Sequence, residues 1–427
     1  MVNKFKKVLA LYGGKKARTL SMPTRNAISR NEKKAVIAAI DYYDKLNQDP
    51  PYDGVFQKKF ESNFCNKMGG GYAVAVSTGS VACFIGIRSL NLPKNSEVII
   101  SPVTDSGSLF AIMECGLKPV MIDSSVDSFN TSWRQIKQGI SSKTSAIFLV
   151  HCSGNPLNIK EIKRESKKFG LKIIEDCSQA PFAIACRGMC FNKNKNCNTT
   201  NFKSFCKQKY VGSYGDVAVF STMYRKNLQT GGSGGVVFTK NLSIYKNIIS
   251  ESDRGRPKWS KNYNSRNPGQ ATHSALNHNT DELSCSIGIE SLKKIDVTIK
   301  KRMKFIINLT KKLDEKEDKL IFKYSRFFPG TSPFLLPILI KNKFAKHKPI
   351  IAKMLLAEGI DISPSYECVI SEWEITKKYN LKVIKDSNAK KMKKESFNLF
   401  LNENYTKVEV NNILDAFSKI SNYFQSL

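Results

Sequence analysis

Short apolar runs alternate with segments of helical character between about residues 70 and 240. The apolar runs are YAVAV, EVII, KPVM, SAIFLV, LKIIE, DVAVF and GGVVF; helix-like stretches such as SLFAIMECG and IKEIKRESKKFG stand between them and end in glycine. Strands that are apolar throughout and joined by helices are typical of a mainly parallel sheet covered on both faces. We therefore predict an α/β fold whose ligands bind beyond the carboxyl ends of the strands.

The pattern also predicts the order of the domains. Residues 1–30 form an N-terminal arm, residues 31–299 a large cofactor-binding domain, and residues 300–427 a smaller C-terminal α/β domain. The smaller domain contains the strand-like run FLLPILI, the helical run IAKMLLAEGID and a closing helix KVEVNNILDAFSKISNYF. An insertion at about 188–210 interrupts the large domain.

A net charge of +32 is typical of proteins that bind nucleic acids. The lysines are scattered, however, as in KNKFAKHKP and NAKKMKKES, and lack the aromatic–basic pattern of an RNA-binding sheet. We expect no specific nucleic-acid partner, and we expect the charge to attract anionic substrates. Since the apolar patch Val8–Tyr12 is too short for a signal peptide and no run approaches the roughly 18 residues of a membrane helix, we expect a cytoplasmic protein without membrane contact.

Polar side chains follow three of the predicted strands. Asp176 and Gln179 follow LKIIE, Ser221 and Lys226 follow DVAVF, and Gly79 and Ser80 open the helix after YAVAV. Free N–H groups at a helix start favour a phosphate. A lysine, a carboxylate and a phosphate cradle at one sheet edge suit pyridoxal phosphate, because the lysine condenses with its aldehyde and the carboxylate pairs with its ring nitrogen.

Each of these residues also has an ordinary interpretation. An aspartate after a strand is often a helix cap, a Gly-Ser pair is usually turn chemistry, and a lone lysine is usually a solvated charge. The loop TGGSGG alone predicts only flexibility. The site prediction therefore depends on the combination of motifs.

In amino-acid sequence and in their order along the chain, the motifs resemble those of the DegT/DnrJ/EryC1/StrS family of pyridoxal-phosphate sugar aminotransferases, which has the aspartate aminotransferase type I fold. The matching segments are AVSTGSVAC, IIEDCSQA, VGSYGDVAVFSTMYRKNLQTGGSGGVV and LNHNTDELSCSIGIESLKKID. The resemblance implies transfer of an amino group, usually from glutamate, to a keto or aldehyde carbon of a sugar, in many cases nucleotide-linked. Surface-polysaccharide or aminosugar biosynthesis is the expected setting.

The same resemblance assigns a role to each site residue. Lys226 is the Schiff-base lysine and the proton carrier, Asp176 binds the pyridine nitrogen, and Gln179 sits beside the phenolic oxygen. Ser221, Gly79 and Ser80 hold the phosphate. Asn277 reaches the phosphate of the second subunit, which implies a homodimer with shared active sites; its alternative role is to cap the helix before Asp281.

Two positions depart from the family pattern. Asp105 occupies the place of an aromatic residue that stacks on the cofactor ring, and Asn279 occupies the place of an arginine. These departures leave a non-catalytic binding or regulatory relative as one alternative. Family members that dehydrate a deoxysugar are another, although they carry histidine where this chain has Lys226.

Two further segments have no assigned role: one contains several cysteines and the other is basic. Cys186, Cys190, Cys197 and Cys206 lie in or beside the insertion, with a spacing that lacks a CxxC pair, so an unstructured or dimer-contacting loop is favoured over a four-thiolate zinc site. No metal is therefore predicted. Arg254, Arg256 and Lys258 are candidate anion contacts or solvated charges.

Overall fold

A computed structural model of the protein describes residues 2–25, 27–185, 209–328 and 330–427. The strands are β1 (Tyr72–Val76), β2 (Glu97–Ile100), β3 (Lys118–Met121), β4 (Thr144–Val150), β5 (Lys172–Asp176), β6 (Val217–Ser221), β7 (Gly235–Thr239), β8 (Phe322–Tyr324), β9 (Leu335–Ile340), β10 (Ile362–Ser363), β11 (Lys382–Val383) and β12 (Ser396–Phe400). The helices are α1 (Val2–Val8), α2 (Arg30–Lys45), α3 (Val55–Lys67), α4 (Gly79–Arg88), α5 (Ser106–Glu114), α6 (Trp133–Gln138), α7 (Ile159–Lys167), α8 (Leu242–Ser252), α9 (Glu282–Asp314), α10 (Lys348–Ala357), α11 (Glu374–Lys378), α12 (Ser387–Glu395) and α13 (Lys407–Gln425).

The larger sheet has the strand order β1-β7-β6-β5-β4-β2-β3-β11. Strands β6, β5, β4, β2, β3 and β11 pair in parallel, whereas β7 is antiparallel to both of its neighbours. Since β1 and β6 both run opposite to β7, they run in the same direction. The carboxyl ends of β1, β5 and β6 therefore meet at one edge of the sheet, which confirms the predicted mainly parallel α/β fold.

Both faces of this sheet are buried, as the apolar strands predict. Along β6, Ala218 and Phe220 pack in the cluster on one face, and Val217 and Val219 pack in the cluster on the other. Helices α3 and α9 contribute Phe60, Phe64, Cys285 and Ile289 to the first face, and helices α4 and α5 cover the second. This burial fixes the register that brings the polar strand ends together.

The smaller sheet has the order β10-β12-β9-β8 and is antiparallel throughout. Its core is shared with the carboxyl half of α9 and with α10 and α13. The strands predicted in FLLPILI and the helices predicted in IAKMLLAEGID and KVEVNNILDAFSKISNYF correspond to β9, α10 and α13. The domain limits given above remain a prediction, since α9 runs through residue 300.

The C-terminal part of the chain also returns to the larger sheet. Strand β11 pairs in parallel with β3 at its edge. The Asp123 carboxylate just beyond β3 accepts hydrogen bonds from the amides of Asn388 and Ala389 at 3.0–3.1 Å, and so receives the first N–H groups of α12. The larger sheet is therefore completed by residues that lie more than 250 positions later in the chain.

No helix among the described residues is long and apolar enough to cross a membrane.

Candidate active site

A cavity of about 260 Å³ lies at the edge of the larger sheet where β1, β5 and β6 end. Of the seven predicted site residues, Gly79, Ser80, Asp176, Gln179, Ser221 and Lys226 line this cavity, whereas Asn277 is not among its lining residues. The other lining residues are Thr78, Cys83, Thr104, Asp105, Gly107, Ser108, Val150, Ser178, Met223 and Ser233. Three stretches far apart in sequence thus meet at the predicted position.

The start of helix α4 forms one wall. Thr78 caps the helix by accepting a hydrogen bond from the amide of Val81 at 3.0 Å, which leaves the first helical amides, at Gly79 and Ser80, at the cavity. Gly79 passes so close to β6 that an added Cβ would lie 2.6 Å from the Cβ of Ser221. A side chain is excluded at this position, and the helix N-terminus therefore lies directly against Ser221.

The Asp176 carboxylate is fixed at both oxygens. Oδ1 accepts from the amide of Ser178 at 2.9 Å, and Oδ2 accepts from the hydroxyl of Ser108 at 3.1 Å. The Thr104 hydroxyl donates in turn to Ser108 Oγ at 2.9 Å. Asp176 is 5% exposed, so its orientation depends on these donors. Thr104 and Ser108 were absent from the sequence prediction.

Lys226 also lines the cavity, with part of its side chain exposed. Loss of solvation lowers the pKa of its amine below the ordinary lysine value, while the nearby carboxylates of Asp176 and Asp105 oppose this shift. The amine stands 4.8 Å from the centre of the Phe334 ring. A lowered pKa enlarges the fraction of free amine, which is the nucleophilic form.

Gln179 is engaged at both ends. Its Oε1 accepts from the amide of Ser153 at 2.7 Å, and its Nε2 donates to the hydroxyl of Tyr366 at 2.9 Å. Burial raises the pKa of Tyr366 well above the usual tyrosine value, so the phenol stays neutral. No local sequence signal points to Tyr366, because it lies 187 residues beyond its partner.

Asp105, at the position where the family pattern has an aromatic residue, caps helix α5. Its Oδ1 accepts from the amide of Gly107 at 3.1 Å. The residue lines the cavity together with Lys226 and contributes negative potential at the amine. This departure therefore places a second carboxylate beside Asp176 at the site.

Asn277 is exposed and lies in a segment that runs beside the end of β1. The amide of Ser77 donates to the carbonyl of His278 at 3.0 Å, and Asn277 Oδ1 accepts from Asn279 Nδ2 at 2.7 Å. Helix α9 is capped by Asp281, which accepts from the amide of Ser284 at 2.7 Å. The alternative role of Asn277 as the cap of this helix is thus taken by Asp281.

The basic segment after α8 is occupied by ion pairs. Arg254, Arg256 and Lys258 all lie within 2.7–3.7 Å of the Asp253 carboxylate. Their charges are therefore partly neutralised within the chain. The four insertion cysteines, Cys186, Cys190, Cys197 and Cys206, lie outside the described residues, so neither role suggested for them can be compared with the structure.

A buried, fully hydrogen-bonded carboxylate supports the strand that carries Asp176. The Glu175 carboxylate accepts from the amides of Gly212 and Tyr214 at 2.8 and 2.9 Å, and from a third amide, that of Gly215. His151 accepts the Leu157 amide at Nδ1, so its Nε2 carries the proton and donates to Glu175 at 3.1 Å. Burial opposes ionisation of Glu175, but these donors outweigh it and hold its pKa below the ordinary value.

The sequence as a whole matches a known family model. Residues 43–418 match the model of the DegT/DnrJ/EryC1/StrS aminotransferase family. The chain belongs to this family. Membership confirms the resemblance seen in the motifs and the prediction of an aminotransferase.

Individual relatives of the family are similar over most of the chain. GDP-perosamine synthase of Escherichia coli O157:H7 is 29% identical over 347 residues, which are 75% of this chain and 87% of the relative. The solved aminotransferase from Psychrobacter cryohalolentis superimposes with a TM-score of 0.80 at 21% identity, covering 95% of this chain and 99% of that one. NtdA from Bacillus subtilis, solved with bound cofactor PMP, has a TM-score of 0.78 at 20% identity and covers 96% and 87%. The aminotransferase fold is thereby confirmed.

Proposed function

We propose that the protein is a pyridoxal-phosphate-dependent aminotransferase that moves an amino group from glutamate to a keto or aldehyde carbon of a nucleotide-linked sugar. The main support for this proposal is that Lys226, Asp176 and the start of α4 line one cavity of about 260 Å³. The chain also belongs to an aminotransferase family. The similarity to GDP-perosamine synthase supports a nucleotide-sugar substrate and a role in surface-polysaccharide biosynthesis.

The residues around the cavity fit the cofactor. The amides at the start of α4, with Ser80 and Ser221, are donors for a phosphate, and the absence of a side chain at Gly79 lets this helix start lie against Ser221. Asp176, held at both oxygens, is oriented to accept from a protonated ring nitrogen. When bound, pyridoxal phosphate supplies an aldehyde that condenses with amines and a ring that accepts the electrons of a broken C–H bond.

In this proposal Lys226 performs the proton transfers. Its lowered pKa makes the free amine more available near neutral pH, so Nζ can take the proton from the donor carbon that bears the nitrogen and, in the second half-reaction, supply a proton to the sugar carbon that receives the nitrogen. The Asp176 carboxylate would lie against the ring nitrogen and balance positive charge there. Gln179, oriented by Ser153 and Tyr366, positions the ring's phenolic oxygen.

A second cavity of about 770 Å³ is suitable for the sugar substrate. It lies against the first, since Phe334 lines it and also contacts the Lys226 amine. Its walls include Tyr366, Tyr405 and the cationic Arg225. This volume lies in the range of pockets that hold ligands of nucleotide size, and an arginine suits a phosphate.

We also propose that the enzyme works as a cytoplasmic homodimer, with Asn277 reaching the partner's site. In support, Asn277 is exposed on the single chain and stands outside the Lys226 cavity, although its segment runs beside Ser77, just before the phosphate cradle. A two-fold dimer allows both subunits to make this exchange.

A deoxysugar dehydratase is the alternative within the family. The lysine at position 226 favours amination, because the dehydrating members resembling this chain carry histidine there. A non-catalytic relative is the alternative from another class, motivated by Asp105 and Asn279.

The test compares wild type with Lys226→Ala, using the exposed Lys240→Ala as a control. Wild type and control should acquire a yellow, borohydride-trappable cofactor and turn over glutamate with a nucleotide-linked keto sugar. Lys226→Ala should lose the covalent link and turnover, because alanine has neither a nucleophile nor a proton carrier. Full activity in Lys226→Ala would refute the site. Release of a dehydrated sugar without amination would support the dehydratase, and a colourless, inactive wild type would support the non-catalytic relative.

A further inference from the structure

The N-terminal arm contacts the main chain around Lys226. The Arg25 guanidinium donates to the carbonyl of Lys226 at 2.6 Å and to those of Tyr224 and Asn227, each at 3.3 Å. Its Nε also donates to Glu403 at 3.3 Å, and the side chain is 14% exposed. One cation thus holds three carbonyls in a loop of four residues, together with a carboxylate from the C-terminal part.

A second arginine contacts the same loop from helix α9. Arg302 of α9 is 1% exposed and donates to Asn227 Oδ1 at 2.5 Å and to Glu403 Oε2 at 3.0 Å. Glu403 therefore lies between Arg25 and Arg302 and binds both. Arg25, Glu403 and Arg302 form a closed set of charged contacts around the Lys226 loop.

The side-chain contacts of the loop are concentrated at its Asn227 end, where Asn227 Nδ2 donates to Ser332 Oγ at 3.0 Å and to the carbonyl of Pro333 at 3.1 Å. The loop follows β6 without helical or strand structure, and the Lys226 amide donates to the carbonyl of Met223 at 2.9 Å. Arg25 supplies a side-chain donor to each of three loop carbonyls, those of Tyr224, Lys226 and Asn227. Bonds to a charged donor are stronger than bonds to a neutral one, so the guanidinium makes a large contribution to this loop.

We infer that Arg25 is a positioning residue for Lys226: the arm fixes the main chain on both sides of the reactive lysine and so sets the direction of its amine. The inference rests on the proposed function, because it concerns the geometry of that lysine. It makes the arm part of the active-site support. The hydrogen bonds of Arg25 go to main-chain oxygens of the loop and to Glu403. Because Arg25 also lines the 770 Å³ cavity, amide exchange of the loop is the measurement specific to its action on Lys226.

The chain offers a matched control in the same arm. Arg18 is similarly buried, at 8% exposure, and also pairs with a C-terminal glutamate, since it donates to Glu409 at 3.0 Å and to Asn412 at 2.8 Å. Its remaining bonds go to Ser21, within the arm. Arg18→Ala therefore removes a comparable arm contact at a distance from the Lys226 loop.

The experiment compares Arg25→Ala, Arg25→Lys and Arg18→Ala with the full-length wild type. Amide hydrogen exchange of the peptide covering residues 222–230 should become at least about tenfold faster in Arg25→Ala and stay unchanged in Arg18→Ala. With cofactor bound, kcat should fall about tenfold or more in Arg25→Ala, while KM for glutamate changes less than threefold. Arg25→Lys should lie between, because one ammonium cannot reach three carbonyls and a carboxylate at once.

The outcomes separate the possibilities. Wild-type exchange in residues 222–230 of a folded Arg25→Ala would overturn the inference, as would equal losses in Arg25→Ala and Arg18→Ala. If Arg25→Ala does not fold, the exchange and kcat of Arg25→Lys decide in the same way. The exchange measurement needs neither cofactor nor substrate, so faster exchange in a protein without transaminase activity would contradict the proposed function and leave the loop contact standing.

Discussion

We expect Glu175→Gln to destabilise the protein strongly although the substitution preserves shape. Glu175 is fully buried, and its two oxygens accept from three loop amides and from His151. In glutamine one oxygen becomes an amide donor, which then faces the N–H groups that the carboxylate had accepted. The substitution therefore leaves buried donors without acceptors and removes the charge that pairs with the histidine ring.

The magnitude follows from these contacts. A buried donor left without an acceptor costs about 1–3 kcal/mol. Each Glu175 oxygen accepts from two donors, so the amide nitrogen of glutamine would leave two of them unsatisfied. We expect the free energy of unfolding to fall by about 2–6 kcal/mol, a large part of the roughly 5–15 kcal/mol of a typical protein. The loss of structure should be greatest at residues 212–215, which precede β6 and hold the amides that donate to Glu175 of β5.

Urea unfolding of the two proteins at neutral pH measures the loss, with Glu165→Gln as the control. Glu165 pairs with Arg164 and Lys168 at the surface, so its replacement should leave the midpoint unchanged. A loss below about 1 kcal/mol in Glu175→Gln would refute the reasoning, because it would mean that the amide satisfies the same donors.

The pH dependence gives a second check. The folded-state pKa of Glu175 lies below the ordinary 4.5, so the carboxylate stabilises the fold fully above that value and loses its contribution as the pH falls through the folded pKa. The difference between wild type and Glu175→Gln should therefore be constant from pH 6 to pH 8 and shrink in acid below about pH 4.5. A difference that grew in acid would contradict the assigned ionisation.

Two further predictions concern catalysis. Asp176→Asn should fold and bind pyridoxal phosphate, yet aminate at least about a hundredfold more slowly, because an amide cannot balance a protonated ring nitrogen; a near-normal single-turnover rate would point to another carboxylate, such as Asp105. Mixing Lys226→Ala with Asn277→Ala should restore up to about a quarter of normal activity if sites are shared across a dimer, since some mixed dimers hold one intact site. Demonstrated subunit exchange without recovered activity would show that Asn277 does not act in the partner's site.

Much of the larger sheet was predictable because its strands are short, continuous apolar runs. The same regularity predicted where Asp176, Ser221 and Lys226 converge, since parallel strands end at one edge. The antiparallel β7 was not predicted, because its apolar run has the same composition as a parallel strand. Helix α3 was not predicted either, although Phe60 and Phe64, four residues apart, mark its buried face.

The unpredicted site residues share a physical reason. Ser108 lies in an apolar helix, and only the packing of α5 beside β5 brings its hydroxyl to Asp176. Tyr366 and Arg25 lie 187 and 201 residues from the partners they bind. Contacts of this kind depend on tertiary structure and leave no periodic signal in the local sequence.

Strand β11 bears on how members of this family can be recombined. Residues 382–389 supply an edge strand to the larger sheet and the helix start that binds Asp123, yet they come from the last quarter of the chain. A hybrid made by exchanging everything after residue 300 with a relative would replace the whole smaller sheet and the edge strand of the larger sheet in a single step. Its folding would thus depend on whether the donor's segment matches β3 and Asp123, and a crossover placed after residue 400 would avoid that dependence.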